Sequence, residues 1–216
     1  MNRKRLMMLG PPGAGKGTQA KRLADRFSIL HVSTGDMLRE ARRKETELGQ
    51  KAADYMDAGK LVPDEVVIGI VRQRLDEEDA ADGFILDGFP RTRPQAEALD
   101  EMGVSLEAVV NIEVDDDEVV QRLGGRLSCP ECGAVYHETA NPPATDDVCD
   151  NCGHRGLIKR DDDRPEAIRE RLESYHRQTT PLVEFYADKG ILENIDGAKS
   201  PDEVTETIVG RLSDGR

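Results

Sequence analysis

A chain of 216 residues, 34% charged and 37% hydrophobic, makes one ordinary globular domain or one carrying modest insertions. No apolar run approaches the ~18 residues of a membrane-spanning helix. The apolar stretch at 6–9 is too short for a signal-peptide core, so a cytoplasmic protein is expected. Its 43 Asp+Glu against 30 Lys+Arg leave a net charge of −13, a balance that repels nucleic acid and the phosphates it presents.

Short strand-like segments alternate with longer helical ones. A strand at 5–9 leads into Gly10-Pro11-Pro12-Gly13-Ala14-Gly15-Lys16-Gly17-Thr18, then a helix over 17–26. Gly10 and Gly15 bracket four residues and Lys16 follows, the spacing of a phosphate-binding loop. Backbone N–H groups of such a loop, with the helix N-terminus, cradle phosphates, and Lys16 reaches the transferring group. Gly17 departs from the pattern: it stands where Ser or Thr usually ligates Mg²⁺, and Thr18 comes one residue later. A second strand at 29–32 precedes residues 34–62, which read as helices with no strand between them.

A third strand at 84–86 ends at Asp87, beside the loop. A carboxylate there can hold the water shell of Mg²⁺, or it can simply form the turn before Gly88. Strands follow at 109–114 and 191–195. Between them lie residues 126–160, without helical period, and the longest expected helix, from Pro165 to about 187. Pro165 suits a first helical turn, and the acidic run at 161–163 sits ahead of its positive end. This order describes a three-layer α/β/α fold around a five-stranded parallel sheet, with two insertions.

All four cysteines fall in the second insertion, as Cys129-x2-Cys132 and Cys149-x2-Cys152. Paired knuckles at this separation offer four thiolates to a tetrahedral, structural Zn²⁺. Iron at the same ligands and two disulfides are the alternatives, the latter disfavoured in a cytoplasmic chain.

GPPGAGKGTQA resembles the loop of nucleoside monophosphate kinases, adenylate kinases most closely. The resemblance continues through STGDMLR at 33–39, DAGKLVPDE at 57–65, DGFPRT at 87–92 with Gln95, RLGGR at 122–126, YHRQTTPL at 175–182 and DGAKSPDEV at 196–204. It implies one P-loop kinase domain over 1–216, with a nucleoside-monophosphate-binding insertion at 33–62 and a zinc-ribbon-like lid at 126–161. It implies phosphoryl transfer from MgATP to AMP, giving two ADP, by a monomer.

By this resemblance ATP would meet Gly13, Ala14, Gly15, Lys16, Gly17, Thr18, Arg122, Arg126, Val135, Tyr136 and Lys199. AMP would meet Thr34, Arg39, Lys60, Leu61, Val62, Gly88, Arg91, Gln95, Arg160 and Arg171. Lys16, Arg91, Arg126, Arg160 and Arg171 would act on the transferring group, and Asp87 on the Mg²⁺ water shell. Arg suits two phosphate chains because it donates bidentate hydrogen bonds. Gln95 offers a donor and an acceptor to the adenine edge; a neutral surface residue is its other reading. Arg42, Arg72 and Arg211 read as surface charges, and His137 as structural.

A kinase for another monophosphate, or one using GTP, is the nearest alternative. A P-loop nucleic-acid-binding protein with a zinc ribbon is the alternative from another class. Residues 126–160 carry a net charge of −1, whereas such a ribbon would be basic. Dispersed acid with 21 Arg and only 9 Lys resembles the surfaces of salt-loving organisms, whose self-repulsion salt screens. An ordinary acidic surface is the other reading.

Overall fold

The computed structural model describes residues 3–213; residues 1, 2 and 214–216, part of the single-domain reading, lie outside the described residues. Five strands, β1 (Arg5–Leu9), β2 (Leu30–Ser33), β3 (Phe84–Asp87), β4 (Ala108–Glu113) and β7 (Leu192–Asp196), form one parallel sheet in the order β2-β3-β1-β4-β7. Each lies within a residue or two of its expected position.

The pleat sends alternate side chains to opposite faces. Met7 and Leu9 of β1, Phe84 and Leu86 of β3 and Val109 of β4 enter one apolar cluster. Leu6, Met8, Ile85, Ala108, Val110 and Ile112 enter the other. Helices α1 (Lys16–Phe27) and α9 (Pro201–Ser213) cover the second face. The first is covered by α5 (Arg93–Glu101), α8 (Pro181–Asp188) and the helices that follow β2. Burial on both faces is why these strands read as apolar runs. Strand order reverses beside β1, so the crevice where a ligand can lie opens at its carboxyl end.

The first insertion is helical as expected, with α2 (Thr34–Arg43) packed on α3 (Glu47–Asp57); α4 (Asp64–Leu75) follows. Ser33 caps α2 through the Asp36 N–H, and Thr46 caps α3 through the Gly49 N–H. After α6 (Asp116–Gly124) comes the second insertion. It holds an antiparallel pair that the sequence pattern did not reveal, β5 (Arg126–Ser128) with β6 (Val135–His137). Three residues per strand are too few for an alternation to be read.

The helix expected over 165–187 is corrected. It divides into α7 (Pro165–Ser174), a π-helical segment at Tyr175–Thr179, and α8 beginning at Pro181. Pro181 has no N–H to continue the ladder, so the chain widens by one turn before it.

Candidate active site

β1 ends in the glycine loop, and the first constraint there is steric. Gly10 has φ +134°, and a Cβ on it would stand far inside contact distance of the Ile112 carbonyl oxygen of β4. Only glycine lets the chain turn away that close to the sheet. Gly15, left-handed at φ 93°, precedes α1, whose N-terminus has no side-chain cap. Lys16 folds back into the loop, where its Nζ donates to the carbonyls of Gly10 and Pro11, both at 2.7 Å. Burial lowers its pKa to about 7, with Asp87 partly opposing and Arg91, Arg171 and Arg126 adding to the fall. An anion in the loop would restore the charge.

Asp87 ends β3 opposite Met8 of β1. A Cβ on Gly17 would lie 3.2 Å from its Oδ2, so the absence of the usual Ser or Thr leaves room for this carboxylate at the start of α1. One carboxylate beside a phosphate loop fits Mg²⁺, which keeps several waters. His31, a residue outside every motif, brings its Nε2 to 3.5 Å from Asp87 Oδ2.

The arginines gather around two acids. Arg126 makes a two-pronged pair with Asp163, its Nε at 2.7 Å and its Nη2 at 2.5 Å. Arg160 makes another with Asp162, at 2.8 and 2.6 Å. Arg171 reaches both acids at 3.0 Å. These side chains are 14–18% exposed and that of Asp163 is 3%, so none is a solvated surface charge. Burial would raise Asp162, but Arg171 and Arg160 hold it well below the usual carboxylate range. Burial, with like charges nearby, brings Arg126 down to about 10. The acidic run at 161–163 therefore serves the arginines, more than the helix N-terminus it seemed to serve. Three cations held by two acids leave positive charge facing the site.

Arg91 lines a cavity with Lys16, Gly59, Leu61, Gly88 and, of the three clustered arginines, Arg171. Three tethers fix it. Its Nε donates to the Gly88 carbonyl at 2.8 Å, its N–H to Gln95 Oε1 at 2.8 Å, and its carbonyl accepts from Thr179 Oγ1 at 2.8 Å. Thr179 lies in the π-helical segment, whose extra width brings it there. Gly88, at φ 82°, leaves no space for a Cβ, which would meet Arg91 Nη2 at 2.7 Å and Thr34 Oγ1 at 2.8 Å. Thr34 Oγ1 itself donates to the Gly88 carbonyl at 2.9 Å. Gln95 is 2% exposed, which overturns the surface reading.

Lys60, Leu61 and Val62 line a neighbouring cleft with Asp64. Arg39 pairs with Asp36 at 2.5 Å and stays over a third exposed; its charge lowers the pKa of Arg91, after the larger effect of burial and the opposing effect of Asp87. Arg42 is exposed, as its surface reading expects, and there it pairs with Asp57 at 2.5 Å and reaches Asp161 at 3.8 Å, linking α2 to α3 and to the end of the lid.

Among the residues expected around ATP, Arg122 Nη2 donates to the Gly197 carbonyl at 2.8 Å, two residues from Lys199, while its Nε pairs with Glu118. Val135 is exposed at 47%. Tyr136 differs from the expectation in its side chain, which is buried inside the lid. Its hydroxyl lies 3.4 Å from Cys149 Sγ and accepts from the Asp150 N–H at 2.8 Å. Its backbone is what remains for a nucleotide. His137 is structural, its Nδ1 accepting from the Thr139 and Ala140 N–H groups.

The four cysteine sulfurs lie within 4.8 Å of one another. Cys129 is 3.6 Å from Cys152 and Cys132 is 3.5 Å from Cys149. A tetrahedron with arms of ~2.3 Å has edges of about 3.8 Å. The soft donor set and its spacing are compatible with a structural zinc ion held by Cys129, Cys132, Cys149 and Cys152.

The family model described as "Adenylate kinase" matches residues 8–191. Several curated proteins of that name are similar along nearly their whole length. That of Archaeoglobus fulgidus is 55% identical over 207 residues, 94% of this chain and 95% of the relative. That of Carboxydothermus hydrogenoformans is 53% identical over 212 residues, 96% and 99%. That of Methanosarcina barkeri is 53% identical over 207 residues, 94% and 95%.

Proposed function

This chain belongs to the adenylate kinase family, and on that premise we propose how its residues divide the work. The enzyme transfers the terminal phosphoryl group of MgATP to AMP, reversibly, giving two ADP. The glycine loop, Gly13 to Thr18, holds the ATP phosphates through backbone N–H groups, with Lys16 leaving its carbonyl partners for the transferring group. Arg122, Val135, the Tyr136 backbone and Lys199 border the adenosine of ATP. Thr34, Arg39, Lys60, Leu61, Val62, Gly88 and Gln95 border AMP, whose phosphate Arg91 takes.

A phosphate oxygen of AMP attacks the terminal phosphorus in line, and the bond to the bridging oxygen of ATP breaks without a covalent enzyme intermediate. Charge spreads over the transferring oxygens, and Arg126, Arg160 and Arg171 answer it from a preorganised cluster. Mg²⁺ bound with ATP would supply further neutralisation, and Asp87 would hold its water shell. The lid at 126–161 carries Arg126 and Arg160, so its closing completes the charge constellation and keeps water from acting as acceptor. Zinc held by the four cysteines would stiffen this lid, and the 33–62 insertion closes over AMP.

The observation that carries this reading is the convergence of Lys16, Arg91 and Arg171 on one cavity at the carboxyl end of β1. Four thiols able to serve a metal suit the reducing cytoplasm. The net charge of −1 over residues 126–160 gives nucleic acid no purchase. Arg91→Ala tests the division: KM for AMP should rise at least tenfold while KM for ATP changes little. Equal weakening of both would place Arg91 on the wrong side.

A further inference from the structure

Asp64, the first residue of α4, has no place in the division of labour above. It is half-buried beside the Lys60–Val62 cleft, and both its carboxylate oxygens are engaged. Oδ1 accepts from Gln95 Nε2 at 2.7 Å, and Oδ2 accepts from Thr92 Oγ1 at 3.0 Å. On its other side, Gln95 Oε1 accepts from the Arg91 N–H at 2.8 Å. A carboxylate can only accept and a backbone N–H can only donate. The Gln95 amide therefore has one orientation; turned over, it would set oxygen against oxygen and N–H against N–H.

An amide in a fixed orientation is not neutral toward bases. Adenine offers an acceptor at N1 beside a donor at its 6-amino group, and guanine presents the reverse, a donor at N1 beside an acceptor at O6. One amide N–H and one carbonyl lone pair of Gln95 are not used by Asp64 and Arg91. They match one of these edges, and the inverted amide would match the other. We propose that Asp64 is a positioning residue for base choice: by taking the Gln95 Nε2–H it fixes the face Gln95 shows to the base, so that the monophosphate site selects adenine over guanine. The proposal rests on the reading that Gln95 meets the base of AMP.

Steady-state kinetics of the full chain, with AMP and GMP at saturating MgATP, test it. Leu at 64 offers no acceptor, so one of the two contacts that set the Gln95 amide is gone. Asp64→Leu should lower the AMP-to-GMP ratio of kcat/KM about tenfold, through KM for the monophosphate, with KM for ATP unchanged. Gln95→Leu should lower the ratio as well, and Asp64→Leu should then add nothing. Asp64→Asn can keep its amide oxygen on Gln95 by turning its N–H onto Thr92 Oγ1, a hydroxyl that can accept, and should leave the ratio near that of the natural enzyme. Thr92→Val cuts the other tie to the same carboxylate, together with the cap that Thr92 Oγ1 gives the Gln95 N–H; it should lower stability and leave the ratio as it was. Asp64→Ala also removes the acceptor and gives the same reading should Asp64→Leu fail to fold. An unchanged ratio in Asp64→Leu and Asp64→Ala, beside a lowered one in Gln95→Leu, overturns the inference and leaves the Gln95 reading standing. An unchanged ratio in Gln95→Leu overturns both. A fall in Thr92→Val equal to that in Asp64→Leu would reduce Asp64 to a seat for α5 and also overturn the inference.

Discussion

Lys16 shows how one side chain can be prepared for a ligand it has not met. Its ammonium is desolvated against two carbonyls, and its pKa falls from 10.5 to about 7. A lowered lysine pKa means the folded chain binds this proton less well than the unfolded one. The penalty is full below pH 7 and fades as pH rises from there toward 10.5. Polyphosphate in the loop reverses the balance, because the ammonium then has an anionic partner. Binding of MgATP at pH 8 should therefore take up close to one proton, and at pH 6 almost none. Calorimetry in buffers of different ionisation enthalpy reads this directly. Uptake that does not change between the two pH values would show that Lys16 keeps its charge in the free enzyme.

Among the elements, the lid depends most on its metal. Its own apolar cluster amounts to Cys129, Tyr136 and Cys149, with Leu127, Cys132, Ala134 and Leu157 at the edge. That is too small a core for a unit of this size. Purified enzyme should carry one zinc per chain, and chelation should speed hydrogen exchange across 126–160 while the sheet stays protected. Protein folded with four free thiols and no metal after metal-replete expression would remove the zinc. The same contrast in core size explains what could be read in advance. The sheet strands are buried on both faces, so their apolar runs gave their positions to within two residues. The glycine loop and the knuckles follow spacings set by backbone and coordination geometry. The short lid strands, the π-helical segment and the partners of the arginines were not legible. Asp163, Thr179 and Asp64 reach their partners through folds in the chain, as Asp163 does to Arg126 at a separation of 37 residues and Asp64 to Gln95 at 31. No local pattern records such a contact.

For the whole molecule, −13 spread over 216 residues meets a site that must collect the phosphates of two nucleotides. The surface answers with exposed pairs such as Arg22–Asp202 and Arg26–Glu206, each worth little in water, and keeps its enclosed arginines for the cavity. Salt weakens both the repulsion and the exposed pairs, but with so large a net charge the loss of repulsion outweighs the loss of the pairs. The melting temperature should rise from dilute buffer toward the molar range, where the Debye length is ~3 Å. A melting temperature indifferent to salt would favour an ordinary acidic surface. The molecule's principal work is to move a phosphoryl group from MgATP to AMP in this cavity, with Lys16 answering the developing charge. The direct measurement is ADP formation from MgATP with AMP, CMP, UMP and GMP in turn, for the natural enzyme and for folded Lys16→Ala. AMP should be the best acceptor, giving two ADP for each AMP consumed, and Lys16→Ala should lose roughly 10²–10³ in rate, as for loss of one preorganised electrostatic contact. A better acceptor than AMP, or near-normal turnover in Lys16→Ala, would contradict it.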